Sequence, residues 1–139
     1  MQLYKNFIDG KWIESEKKET IKVDDPATGK IIGEIASAKK TEVDLAVQAA
    51  KKSFQSRVLV DMPLMVRAKL MRRIADETRK VAKEGGELLC YENGKTLGAA
   101  VKEFNDVADM FDYYAGLTDK LEGKTIPVSK NVFDYTVLE

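Results

Sequence analysis

The chain has 139 residues, 44% hydrophobic and 33% charged, which fits one globular domain with its own core. Lys plus Arg equals Asp plus Glu at 23 each, so neither a basic stripe for nucleic acid nor a like-charged tail stands out. Histidine is absent, which excludes Ser-His-Asp and Cys-His sites built from this chain alone and removes the commonest zinc ligand.

The start, "MQLYKNFIDGKW", lacks the apolar segment of a secretory leader. No apolar run approaches the roughly 20 residues that span a membrane. Cys90 is the single cysteine and has no internal partner, so a reducing cytoplasm is the expected compartment.

In chain order, "NFIDGKWI" sets Asp9-Gly10 between two apolar stretches and predicts a tight hairpin. "ETIKVDD", the turn "PATG" and "KIIGEIAS" predict a second β unit. Thr41 with Asp44 resembles a capping box, and Val43, Ala46, Val47, Ala50 and Phe54 then mark one face of a helix over about 42–55.

Pro63 suits the first turn of the next helix. Arg67, Met71, Ile74, Thr78 and Val81 track its length, and Leu70, Ala75 and Ala82 widen the stripe. Gly85-Gly86 is expected to break it. A short helix over about 86–93 follows, capped by Gly94, and a fourth runs from about 97 to 116. The fourth helix is expected to bury Ala100, Phe104, Val107, Ala108, Phe111 and Tyr114. The tail "GKTIPVSKNVFDYTVLE" is β-rich, with Phe133, Tyr135 and Val137 on one strand face and Val132, Asp134, Thr136 and Leu138 on the other.

Several motifs invite chemistry. Gly-Lys-Thr occurs at 94–96 and 123–125, but a P-loop needs a glycine five positions earlier, where Leu89 and Thr118 stand. A helix cap and a β-turn account for the two copies. No G-x-G-x-x-G is present. Cys90 falls toward the end of its short helix, where the helix dipole disfavours a thiolate, so it reads as a packing residue. Glu103, Asp106 and Asp109 recur at three-residue steps, an arrangement open to an acid–base pair and equally to a solvated face.

The segment order carries more. "NFIDGKWI", "DPATGKIIGEIA", "TEVDLAVQAAKKSF", "ENGKTLGAAVKE" and "YYAGLTDKLEGKTIP" together resemble the N-terminal quarter of the aldehyde dehydrogenase superfamily, over essentially the whole chain. The resemblance implies an α/β fold: N-terminal β-hairpins and four helices of an aldehyde-dehydrogenase-like nicotinamide-binding domain, ending in oligomerisation strands. It divides the chain into 1–117, part of the cofactor-binding domain, and 118–139, the start of the oligomerisation sheet.

The resemblance also implies what is missing. In the family, the nucleophilic cysteine, the general-base glutamate, the oxyanion asparagine and the main nicotinamide loops all come later. No catalytic role passes to Cys90. The full-length family reaction oxidises an aldehyde with NAD or NADP through a thiohemiacetal and a thioester, and it needs a nucleophile, an oxyanion site and a positioned cofactor together. This chain alone is therefore expected to be inactive and without nicotinamide.

Three readings follow: the first part of such an enzyme, truncated or from a split gene; a non-catalytic module pairing with a full-length relative through its C-terminal strand; or an unrelated helical domain with a β entry. A homo-oligomer is the expected assembly, with the aldehyde as partner only in the full-length context. The family also implies a monovalent-cation site. Glu92, three residues before Lys95, and the carbonyls of Val23 and Asp24 would supply it. A surface Glu on a helix is the plainer reading of the same residue.

Overall fold

The computed structural model describes residues 2–137 and is α/β, as the sequence predicts. Leu138 and Glu139, expected in the last strand and sheet, lie outside the described residues. The order is β1 (Leu3–Tyr4), β2 (Asn6–Ile8), β3 (Lys11–Ile13), β4 (Thr20–Asp24), β5 (Ile31–Ala36), α1 (Lys40–Gln55), α2 (Leu64–Lys80), α3 (Ala82–Asn93), α4 (Leu97–Gly116), β6 (Thr125–Ser129) and β7 (Val132–Tyr135).

Both predicted N-terminal β units form. Between β2 and β3, Asp9 and Gly10 have φ of 49° and 77°, the pair of positive values a tight two-residue hairpin turn requires. β4 and β5 pair antiparallel, and β1 adds to β5 in parallel, giving the order β1-β5-β4. The two-residue β1 has no sequence signal of its own.

The turn between β4 and β5 is held by Asp25, which is buried. Its carboxylate accepts from the Thr28 hydroxyl at 2.8 Å and from the Ala27 N–H at 2.9 Å. Those bonds, the Thr28 hydroxyl foremost, hold its carboxyl below the usual carboxylate range.

The start of α1 differs from expectation. Thr41 and Asp44 do not form its cap. The cap is Lys39, whose N–H donates to Glu42 Oε2 at 2.7 Å, while Glu42 Oε1 accepts from Glu16 N–H, also at 2.7 Å. Glu42 is buried, and these two backbone donors, Glu16 first, lower its pKa. One carboxylate thus satisfies an orphan donor at the helix start and pins the loop after β3 to α1. Thr41 donates instead to Glu16, and Asp44 pairs with Lys40.

The second difference lies between α2 and α3. Gly85-Gly86 does not end a helix; the break falls at Val81 (φ −96°, ψ 3°), and α3 runs through both glycines. Their role is close approach. A Cβ on Gly85 would sit 2.3 Å from the Phe104 ring, and one on Gly86 would sit 2.6 Å from Val101 Cγ2 and 2.9 Å from its backbone.

The same logic governs the α2–α4 seam. Ala68 and Ala75 on α2, and Ala82 at the start of α3, recur every seven residues and are buried, as are Ala100, Ala108 and Ala115 on α4. Small residues let the backbones close together, while larger side chains flank the seam. Hence Ala100 and Ala108 are buried as expected, Phe104 and Phe111 are half-buried, and Val107 and Tyr114 are exposed. On α2, Arg67, Met71 and Thr78 are half-buried and Leu70 and Ile74 are exposed, as is Val81 just past its end. No large side chain is fully buried among the described residues. Arg79 closes one end of the seam, donating at 2.7 Å to both Asp109 and Asp112 of α4. These two carboxylates, Asp109 first, raise its pKa.

Candidate functional site

The stretch 88–104 holds the motifs that most resembled chemistry, and the structure assigns each a local job. α3 ends at Gly94, whose φ of 76° is left-handed and whose N–H bonds to Cys90 O at 2.9 Å. Only glycine suits this position, because a Cβ there would also lie 3.1 Å from Pro26 Cγ. Lys95 pairs with Glu103 across the junction at 2.5 Å. Thr96 caps α4, its hydroxyl accepting from Ala99 N–H at 3.4 Å. Gly-Lys-Thr is therefore a helix stop, a cross-helix cation and a helix start. Cys90 is half-buried, and its thiol donates to Lys95 O at 3.0 Å. That contact holds the thiol in the junction, in keeping with a packing role.

The second Gly-Lys-Thr is not the expected turn. It leads in extended form into β6: Lys124 N–H donates to Thr136 Oγ1 at 2.8 Å, and Thr136 N–H returns to Lys124 O at 3.0 Å. A Cβ on Gly123 would meet Thr136 O at 2.6 Å, so the glycine permits this strand approach.

Glu103, Asp106 and Asp109 face three different cations: Lys95, Lys102 and Arg79. The solvated, ion-paired reading of this row holds, and no two of the three share a proton site. Glu103 and Asp106 do border a groove of about 460 Å³, lined also by Met71, Val107, Met110, Phe111 and Tyr114. The sequence did not single out this groove. Its signal was the run of apolar residues on α4, expected in the core and found at its margin.

Of the residues expected to hold a cation, two come together. Glu92, in the last turn of α3, and Val23 of β4 line one cleft of about 140 Å³ with Tyr4, Gly33 and Leu88. Its walls are mainly apolar. Asp24 follows a bulge after Val23, pairs with Ile31 and is exposed. Among the described residues, no three His, Cys, Asp or Glu side chains cluster as metal ligands. A cation in this cleft would rest on Glu92 and backbone carbonyls.

Comparison with known proteins places this geometry. The aldehyde dehydrogenase family profile matches residues 12–139. An aminoaldehyde dehydrogenase of Arabidopsis thaliana is 38% identical over 127 residues, covering 88% of this chain and 25% of that protein. A malonate-semialdehyde dehydrogenase of Bacillus pumilus is 35% identical, covering 91% of this chain and 26% of that protein. Among solved structures, the NAD+ complex of a Bacillus cereus aldehyde dehydrogenase superposes with a TM-score of 0.85 at 30% identity, over 96% of this chain and 28% of that one. The chain thus spans about a quarter of the length of the curated relatives it matches. By profile, sequence and fold, it belongs to the aldehyde dehydrogenase family.

Proposed function

We propose that this chain serves as the N-terminal part of an NAD-dependent aldehyde dehydrogenase, supplying scaffold to the site and no reacting group. The observation that carries the reading is the superposition on the NAD+-bound Bacillus cereus enzyme over nearly the whole chain. In that role the α2–α4 seam and the α3–α4 junction form a rigid block, and the groove beside Met71 and Met110 lies on its surface. Nicotinamide accepts the hydride in such chemistry, and a thiolate from outside these residues is the nucleophile. The engaged Cys90 thiol fits this division of labour.

A chimera tests the reading. Residues 1–139 replacing the matched segment of the Bacillus cereus enzyme are expected to support NAD-dependent aldehyde oxidation, and Cys90→Ala is expected to leave it unchanged. The isolated chain is expected to reduce neither NAD nor NADP with any aldehyde. Cofactor reduction by the isolated chain that vanishes with Cys90→Ala would overturn the proposal.

The cation reading belongs to the same proposal. Glu92 with the carbonyls of Val23 and Asp24 would hold sodium or potassium between α3 and the β4–β5 turn. Melting temperature is then expected to rise from choline to sodium or potassium chloride at equal ionic strength, and Glu92→Gln is expected to abolish the difference. Equal melting in all three salts removes the site.

The exposed β6–β7 hairpin favours a second reading, a non-catalytic module that pairs through its last strand. The chimera separates the two, because a dedicated module would give an inactive hybrid.

A further inference from the structure

The residues that stop α3 also bring a side-chain amide and a peptide nitrogen into reacting order. Asn93 is the last residue of α3, and Gly94 follows it with a φ of 76°. Of the asparagines at 6, 93, 105 and 131, only Asn93 precedes a glycine. The fold places both halves of the pair. The left-handed turn and the contact with Pro26 require glycine at 94. Asn93 Oδ1 accepts from Lys95 N–H at 3.1 Å, which folds the amide across the Gly94 peptide group lying between them. That bond draws electron density from Cγ, and it meets the oxygen on which charge gathers when Cγ is attacked. Both residues are exposed, so water reaches them, and no Cβ at 94 shields the nitrogen. The other asparagines lack this setting. Asn6 lies in β2 before Phe7. Asn105 is half-buried in α4, and its amide donates to Val101 O at 3.1 Å. Asn131 precedes the β-branched Val132.

We propose that Asn93 is a site of spontaneous deamidation, gated by the last turn of α3. The Gly94 nitrogen, its proton lost, attacks Asn93 Cγ. The bond from Gly94 N to Cγ forms, the Cγ–Nδ2 bond breaks, and ammonia leaves with a proton that replaces the one lost from Gly94. The five-membered imide then takes up one water. Opening at Cγ gives aspartate; opening at the main-chain carbonyl gives isoaspartate, with the chain running through Cγ. Water is the one co-reactant. The gate is the Gly94 N–H, which donates to Cys90 O at 2.9 Å. While that bond stands, the proton is held and Asn93 stays helical, so the nitrogen does not turn toward Cγ. A helix end opens far more often than a whole domain unfolds. Either product adds negative charge beside Glu92 at a helix C-terminus, where the dipole disfavours it. Isoaspartate also lengthens the main chain just before the Gly94 turn, the Lys95–Glu103 pair and the Thr96 cap, so the α3–α4 junction loosens as the chain ages.

The test ages the purified chain in warm, mildly alkaline buffer and follows the tryptic peptide 84–95 by mass spectrometry. An unaged sample and a synthetic peptide of the same sequence run beside it, and circular dichroism at the start establishes that the chain is folded. Aspartate and isoaspartate at 93 are expected to accumulate severalfold ahead of the other three asparagines. They should trail the free peptide by about tenfold, the protection of a fraying helix end rather than of global unfolding. Urea below the unfolding transition should leave the rate unchanged, since opening one turn exposes little surface. The aged chain should melt below the fresh one. No more acid at 93 than at 131 once the free peptide has converted, or conversion as fast as in the peptide, overturns the proposal. A rate that climbs with urea as the unfolding constant does overturns the gate in α3. Equal melting of aged and fresh chains overturns the loosening of the junction.

Discussion

Gly86→Ala is expected to destabilise the chain by about 2 kcal/mol. The new methyl would sit 2.6 Å from Val101 Cγ2 and 2.9 Å from both Cα and N of Val101. A side chain can swing aside; the backbone of α4 cannot, short of parting the two helices. Overpacking of that kind costs about 3 kcal/mol at the upper end of the usual range. Replacing a mid-helix glycine with alanine returns roughly 1 kcal/mol of helix propensity, so the clash decides the sign. Gly85→Ala makes an instructive partner. The nearest atoms to its methyl are ring atoms of Phe104, 2.3 to 3.0 Å away, and that side chain is half-buried rather than part of the helix backbone. Its net effect should lie near zero. Gly98→Ala, near the start of α4 with nothing within 4 Å, should stabilise by about 0.5 kcal/mol. Urea midpoints at constant slope measure all three. If the Gly86 variant matches the Gly98 variant, α3 and α4 do not approach as closely as the structure places them.

This glycine pair marks where sequence reading stops. The hairpin at Asp9-Gly10, the limits of α4 and the cap at Gly94 are local events, each set by a few adjacent residues and one backbone preference, and the sequence predicts them. Gly85-Gly86 follows the same local rule toward the wrong answer. As breakers they end a helix; as contact points they admit another one, and only the position of Val101 and Phe104 decides between these. Glu42 repeats the lesson at the start of α1. Thr41 and Asp44 have the right local spacing, yet the carboxylate that caps the helix also binds Glu16, which is 26 residues away. Burial fails for a related reason. Periodicity identifies which residues share a face of α1 but says nothing about what lies opposite, so it groups Val47 and Phe54 without showing that both are exposed. At the candidate site, the family resemblance pointed to Glu92 and Val23, which line one cleft, but it did not reveal the cleft's apolar walls, and the α4 groove went unnoticed altogether.

The isolated chain is expected to self-associate through β7, and Tyr135→Pro is expected to return it to monomer. β6 and β7 pair in the register Thr125 with Tyr135, Ile126 with Asp134 and Pro127 with Phe133. Every residue of both strands is exposed. The Thr136 N–H points inward, to Lys124 O. Antiparallel strands alternate, so the Asp134 N–H also points inward, and the N–H groups of Phe133 and Tyr135 point outward along the free edge of β7. Their rings lie 5.2 Å apart on one face, ready to cover a neighbouring strand. The outer edge of β6 differs. Pro127 sits at an outward position, lacks the donor and blunts that side. One competent edge and one blunted edge favour a closed two-fold dimer over an open fibre. Tyr135→Pro removes an outward donor and leaves the hairpin ladder whole, whereas Asp134→Pro removes an inward one and should unravel the hairpin itself. Pro127→Val restores a second edge and should carry association beyond the dimer. Light scattering across a concentration series distinguishes these outcomes. A wild-type chain that stays monomeric at high concentration, or a Tyr135→Pro chain that dimerises as readily, would show that the free edge of β7 does not recruit a second copy.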